Sequence, residues 1–400
     1  MTRKKSRLRH LPPTAVPVSL SDLQAGLRSS STTLDQFQSA LASYLGVSKE
    51  ACKLASSGRT ALYCLLHGLQ SENPSRTEIV MPAYTCPAVA RVVIDLGLHP
   101  VYVDISLETM GYVPEQLATA VGENSLAVIL VHPFGISLPV DAAINAAHEA
   151  GAVVIEDAAQ ALGAKWDGKP VGTRGDYGLF SLGPGKPIST AGGGIAIANH
   201  VEDIPSLNNW WSELPQASAM ASRTAWARLV AFQTAFQPNA WWVATRMGLH
   251  RVGNHETSWG YTVQGLAPAQ ASVGLVLLPR LDEINNQRRS KASILQEAVA
   301  RSRSVQSISI SEKAEPFFLR FPLFAASAKQ REALYEQFWS AGIGAGRLYE
   351  KSLPSIFTPD NREPFPGAEA VAGRLLTLPT HHHVTDDDIN TMRDILLQFT

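Results

Sequence analysis

Apolar residues follow two rhythms along this chain. Between residues 20 and 45 they recur at helical spacing: Phe37, Leu41 and Leu45 stand at i, i+4 and i+8, with Ser21-Asp22 and Thr33-Leu34-Asp35 as start signals. After Leu54 short apolar runs alternate with helical stretches. Residues 78–82, 100–104, 127–131 and 152–155 predict buried strands, and 87–97, 117–121 and 141–150 predict the helices between them. That alternation means a mainly parallel sheet with helices on both faces, so the fold class is α/β with a three-layer large domain. Further on, 266–300 reads as helix, 317–323 alternates like a strand, 330–341 is helical and 342–349 is a strand region. These make a smaller C-terminal α/β domain. The expected division is an N-terminal arm with helices over 1–45, a large domain over 46–265 and a small domain over 266–400.

Topology nominates residues before chemistry does. In parallel sheets ligands sit outside the carboxyl ends of the strands, and Ser57, Tyr84, His132 and Asp157 all fall there. For His132 a packing or capping role competes on equal terms.

Composition narrows the class. A chain of 400 residues with 45% hydrophobic and 17% charged content suits two cores in one folded protein. Its net charge of -1 gives no general attraction to nucleic acid. Cys52, Cys64 and Cys86 match neither a disulfide framework nor a zinc pattern, which fits a reducing, cytoplasmic setting. The start MTRKKSRLRH is basic, lacks an apolar stretch after it and reads as a solvated tail. No run reaches the roughly 18 apolar residues of a spanning helix. His381-His382-His383 lacks convergent partners for a metal and is expected in the loop before the last helix.

The chemistry concentrates in 153–199. The apolar run Val153-Val154-Ile155 stops at Glu156-Asp157, and Lys186 later stands on a loop of small residues between two predicted strands. A carboxylate at a strand end and a loop lysine are the parts a pyridoxal phosphate enzyme needs. The acid keeps a pyridinium nitrogen protonated, and the amine bonds the aldehyde. Alone, Lys186 reads as a surface-loop lysine. The helix start after Ser57-Gly58 suits an anion, although alone it reads as a cap.

The stretches SSGRTAL (56–62), MPAYTCPA (81–88), VHPFG (131–135), VIEDAAQALGA (154–164), GDYGLFSLGPGKPISTAGGG (175–194) and LPTHHHVTDDDINTM (378–392) occur in one order over nearly the whole chain. In them the sequence resembles the DegT/DnrJ/EryC1/StrS sugar aminotransferases, pyridoxal-phosphate enzymes of fold type I. The resemblance implies roles. Lys186 matches the lysine that binds the cofactor covalently, Asp157 the acid at the pyridine nitrogen and Gln160 the residue beside the ring hydroxyl. Ser57, Gly58, Arg59 and Ser181 match the phosphate cradle. It also implies an amino-acid donor such as glutamate, a nucleotide-linked sugar as acceptor and a homodimer. Relatives in which histidine replaces the lysine are sugar dehydratases, and Lys186 argues against that alternative. A non-catalytic homologue of the fold is the alternative from another class.

Several positions depart from the family. Arg59 and Thr60 replace the usual threonine and alanine. Cys86 stands where an aromatic often stacks on the ring, leaving Tyr84 as the stand-in. Ala191-Gly192-Gly193-Gly194 lacks the usual acid. The asparagine that reaches a neighbouring subunit's phosphate is missing from residues 260–265, where Gln264 is the candidate substitute. Residues 208–259 leave the pattern altogether and hold six of the eight tryptophans, with Arg223, Arg228, Arg246 and Arg251 among them. An inserted helical hairpin packed on its own domain or on a partner is the first reading. Weak contact with a membrane surface is the second.

Overall fold

In this computed structural model, which describes residues 8–30, 32–248, 260–360 and 363–399, the apolar runs form strands of one large sheet. In chain order these are β1 (Cys52–Ala55), β2 (Glu78–Pro82), β3 (His99–Val103), β4 (Ser125–Val131) and β5 (Val153–Asp157). A short ribbon, β6 (Lys165–Trp166) and β7 (Lys169–Pro170), turns at Gly168 before β8 (Tyr177–Ser181) and β9 (Gly194–Ala198). The order across the sheet is β1-β9-β8-β5-β4-β2-β3. Strands β8, β5, β4, β2 and β3 are mutually parallel, and β9 runs antiparallel to both its neighbours.

The unbroken apolar runs follow from helices on both faces. Along β4, Val128 and Leu130 pack with Leu117, Ala143 and Ala147 on one side. Ala127 and Ile129 pack on the other, with Leu62, Leu65 and Leu66 of the helix Gly58–Glu72. Successive side chains of a strand point to opposite faces, so one apolar run serves two layers.

A second core forms around β10 (Val305–Gln306), β12 (Arg320–Ala325) and β13 (Leu375–Pro379), while β11 (Ala314–Glu315) pairs with β6. Phe321, Phe324, Phe338, Leu376 and Met392 fill it. The helix Pro268–Leu277 packs against Leu20–Leu27 and Thr33–Leu45. There Gly274 lies under the Phe37 ring, where a Cβ would come within 2.4 Å of Cζ. The next helix, Leu281–Arg301, carries the chain into the second core. The last helix, Asp386–Gln398, starts with the Thr385–Asp388 capping box, and Arg9 pairs with Asp388 at 2.8 Å.

The two cores meet along a seam. The N–H of Leu319 donates to the Phe134 carbonyl at 2.7 Å and that of Phe317 to Gly135 at 3.1 Å. Residues 9–14 bridge it as well: Gly344 N–H donates to the Leu11 carbonyl at 2.8 Å. Thr14 sits so close to Gly185 that a Cβ there would clash, and Gly185 has φ +76.

The tryptophan-rich stretch forms helices Ile204–Ser212, Ala219–Ala235 and Pro238–Arg246. The helix Ala219–Ala235 ends short of Pro238, which opens the third helix at its first turn, where its missing N–H costs nothing. The rings turn toward the protein's own body. The Trp211 indole donates to the Leu54 carbonyl at 3.1 Å, that of Trp226 to Leu23 at 2.9 Å and that of Trp210 to Glu72 at 2.9 Å. Trp259 and Arg251 lie outside the described residues. No helix among the described residues is long and apolar enough to cross a membrane.

Candidate active site

Two acids close β5, and the alternation of the strand sends them to different places. Glu156 is fully buried. Its Oε1 accepts from the N–H groups of Arg174 (2.6 Å) and Gly175 (2.7 Å), and its Oε2 from Gly172 N–H and His132 Nε2, both at 2.9 Å. Leu138 N–H donates to His132 Nδ1 at 3.0 Å. That bond fixes the neutral tautomer, with the proton on Nε2 facing Glu156. His132 is therefore a structural histidine here. Burial pushes the Glu156 carboxyl up, but the His132 hydrogen bond and the backbone donors outweigh it and hold the group below the usual range.

Asp157 faces the cleft. One oxygen accepts the Ala159 N–H at 3.0 Å, and the other has no hydrogen bond among the described residues. Burial raises its carboxyl above the usual range, against the pull of Ala159 N–H and Lys186. Lys186 lies on the loop after β8, with no hydrogen bond to Nζ among the described residues. Burial lowers its ammonium from the usual lysine value, and repulsion from Arg320 adds to that, while Cys86 and Asp157 pull the other way. The loop lysine and the strand-end acid thus lie within electrostatic reach of each other in one cleft.

The helix Gly58–Glu72 begins beside them. Ser57 caps it, its Oγ accepting the Thr60 N–H at 3.1 Å. Gly58 lets Ser181 approach: a Cβ at 58 would lie 3.2 Å from the Ser181 Cβ. Ser57, Gly58 and Ser181 therefore share one corner, where first-turn N–H groups face out. The Arg59 guanidinium leaves that corner and lies over the Tyr261 ring at 5.6 Å. Residues 261–264 are held against their own chain's helix start: Ser56 N–H donates to the Gln264 carbonyl at 2.9 Å, and Ser56 Oγ to Thr262 at 2.7 Å. Gly192 leaves room for Gln270. A Cβ there would come within 2.8 Å of the Gln270 amide, which donates to the Thr190 carbonyl at 3.1 Å.

Gln160 accepts the Phe134 N–H at 3.2 Å and lines a cavity of about 650 Å³ with Tyr84, Thr85, Tyr112, Leu138 and Tyr349. The Tyr84 hydroxyl donates to the Leu348 carbonyl, and its ring meets Tyr349 edge-on at 5.9 Å. Tyr84 therefore spans the seam. Beside it the Tyr349 side chain hydrogen-bonds to Cys86, and Tyr349 has φ +51, a strained backbone for an aromatic residue. Arg347 pairs with Glu332 at 2.6 Å, so its charge is already matched.

The site suits pyridoxal phosphate on its own atoms. It offers an unbonded carboxylate oxygen for a ring N–H, an unbonded amine for an aldehyde and a capped helix start with a serine for a phosphate. The model of the DegT/DnrJ/EryC1/StrS aminotransferase family matches residues 21–226 and 239–396. The chain belongs to the DegT/DnrJ/EryC1/StrS aminotransferase family. This aminotransferase is 25% identical over 368 residues to the dTDP-4-dehydro-2,3,6-trideoxy-D-glucose 4-aminotransferase of Saccharopolyspora spinosa, covering 90% of this chain and 86% of the relative. Helicobacter pylori PseC, an aminotransferase involved in the biosynthesis of pseudoaminic acid, superposes with a TM-score of 0.79 at 18% identity, over 98% of this chain and 99% of PseC. The PLP form of Streptococcus pneumoniae Spr1654 gives 0.76 at 20% identity, over 98% of each chain. The fold is that of the fold-type-I enzymes, and the cofactor of this aminotransferase is pyridoxal 5'-phosphate.

Sequence reasoning missed Gln270, the Cys86–Tyr349 contact and Arg320. Only Arg320 left a signal, as one cation in the otherwise apolar run FFLRFPLFA (317–325).

Proposed function

We propose that this aminotransferase moves an amino group from glutamate to a keto group of a nucleotide-linked sugar, working as a homodimer in the cytoplasm. The carrying observation is the pair of unbonded groups, Lys186 Nζ and the free Asp157 oxygen, facing one cleft. When bound, pyridoxal phosphate supplies an aldehyde carbon and a protonated ring that draws electrons from the substrate carbon.

Each residue then has a task. Asp157 keeps the ring nitrogen protonated, because a buried carboxylate with one donor gains most from a second. Lys186 would hold the cofactor covalently through Nζ. Freed from the cofactor, Nζ would carry a proton, and its lowered basicity would help it shed that proton. Ser57, Gly58, Ser181 and the first-turn N–H groups after Arg59 hold the phosphate. Gln160 stands by the ring hydroxyl, and Tyr84 closes the ring's seat against the second domain. The cavity beyond Gln160 gives the sugar room. Met220, Val243 and Met247 are exposed on the hairpin and supply apolar surface for a partner subunit. All three cysteines are free, which suits a reducing compartment.

The test is spectroscopic and needs no known sugar. Purified protein with pyridoxal phosphate should show a visible band that borohydride fixes onto Lys186. Glutamate should bleach it to the pyridoxamine form and yield 2-oxoglutarate. Lys186→Ala should abolish the covalent label and cut turnover by at least about 10³-fold. A label on another lysine, or a band indifferent to every amino acid offered, overturns the reading.

A further inference from the structure

The cavity that opens at Gln160 and Tyr84 extends well away from them. It reaches Leu117, Leu130 and Ala143, which belong to the core between the sheet and the helices Pro114–Ala120 and Asp141–Glu149. Among the described residues no lysine, arginine, histidine, aspartate or glutamate lines it. Several wall hydroxyls are spent on the chain's own backbone. Tyr112 donates to the Ile129 carbonyl, and Ser137 to the Lys165 carbonyl at 2.7 Å. Ser106 Oγ accepts the Glu108 N–H at 3.1 Å, and Thr109 Oγ1 the Gly111 N–H at 3.2 Å.

One wall is set at a backbone cost. The Met110 N–H donates to the Ser106 carbonyl at 2.8 Å, in a turn that gives Met110 φ +58, a value that favours glycine. The chain nevertheless places a long, adaptable side chain there, against the cavity. Space of about 650 Å³ is of small-molecule size. A carboxylate or a diphosphate among Met110, Leu117 and Ala143 would lose its hydration and meet no cation. A polyhydroxylated ring would leave hydroxyls unpaired there. A hydrocarbon chain gives up no hydrogen bond and gains the removal of its surface from water.

We propose that the acceptor carries an aliphatic arm, an alkyl or acyl chain, which lies among Met110, Leu117, Leu138 and Ala143 while the keto group stands on the Gln160 side. This rests on the aminotransferase reading. The choice of the acceptor follows from charge. Glutamate brings two carboxylates and the nucleotide brings a diphosphate, and neither suits walls without a cation. The sugar ring that bears the keto group is the part left to carry an uncharged chain. The arm then sets specificity, because each CH₂ it buries strengthens binding about fourfold.

The experiment uses pentan-2-one, heptan-2-one, nonan-2-one and undecan-2-one as keto probes, with erythrulose as a polar one. Calorimetry on cofactor-free protein reads binding. The return of the visible band from the pyridoxamine form reads amine acceptance. In wild type, affinity should rise about fourfold per CH₂ until the chain fills the cavity, with an increasingly negative heat-capacity change, and erythrulose should bind weakest. Amine acceptance should follow the same order. Ala142→Phe, an exposed position beside Ala143 on the cavity wall, should lower the affinity of nonan-2-one relative to pentan-2-one at least about tenfold. Met110→Gly, at ease with a positive φ, should move the best length upward. A flat series in wild type overturns the proposal, and so does erythrulose binding as tightly as nonan-2-one. A length dependence that both variants leave untouched overturns it too, because the chain then lies elsewhere. Length-dependent binding without length-dependent amine acceptance also sinks it, since the arm is then not the acceptor's. If the variants misfold, the wild-type series decides. Should the protein refuse pyridoxal phosphate, the aminotransferase reading fails, yet ketone binding to the cofactor-free protein still judges the cavity.

Discussion

Glu156 and Asp157 are adjacent buried acids on one strand, and the protein treats them in opposite ways. Glu156 receives four hydrogen bonds, which tie β5 to the His132 turn and to the Gly172–Gly175 loop. Asp157 receives one. The first carboxyl is held below its ordinary range and the second is raised above it by burial. Saturated groups hold the scaffold, and the scaffold positions groups left wanting a partner. A buried polar group without partners is costly, so its persistence points to a ligand.

The largest expected effect tests the saturated side. Glu156→Gln offers one acceptor oxygen where two oxygens now take four bonds, and it aims an amide N–H₂ at backbone donors. It should lower unfolding stability by roughly 3–5 kcal/mol, read as the shift in urea midpoint. A loss under about 1 kcal/mol would put Glu156 in the same class as Asp157.

Asp157→Asn should move the other way in cofactor-free protein. A carboxyl raised in the folded state stabilises below its unfolded value, near 4, and that contribution is lost as pH rises through the folded value. At pH 7 the charge is therefore a burden, and the amide should gain about 1 kcal/mol while turnover collapses. The gain should shrink as pH falls toward 4. Glu156, lowered by its partners, has the opposite signature: it stabilises above the ordinary range and loses that as pH falls through its lowered value. Urea midpoints across pH for both variants would show the two trends, and parallel trends would break the comparison.

The α/β alternation was legible because strands buried on both faces read as unbroken apolar runs. Asp157 and Lys186 were legible because an acid ending such a run and a lysine among glycines both violate local expectation. Contacts across the seam were not. Cys86 and Tyr349, or Lys186 and Arg320, stand on segments far apart in the chain, and only the docking of two cores joins them. Strand edges also slipped for stated reasons. The alternation at 317–323 starts its ladder at Arg320, because Phe317 and Leu319 give their N–H groups to the Phe134–Gly135 turn. Residues 342–349 form only isolated bridges, at Ile343 and Gly346, between positive φ at Gly342 and Tyr349.

The smallest effect concerns two departures from the family that turn out to be one. Arg59 and the altered segment 260–265 look unrelated in sequence, yet the Arg59 guanidinium lies over the Tyr261 ring, and Tyr261 in turn leans on Tyr63 at 6.1 Å. The arginine thus serves the segment that frames the phosphate corner and leaves the phosphate to Ser57, Gly58 and Ser181. A cation over a tyrosine face at a half-exposed site contributes about 0.5–1 kcal/mol. The double-mutant cycle of Arg59→Leu and Tyr261→Leu should show coupling of that size in stability. Pyridoxal phosphate affinity should change little in Arg59→Leu. A large loss of cofactor affinity with no coupling to Tyr261 would return Arg59 to the cradle.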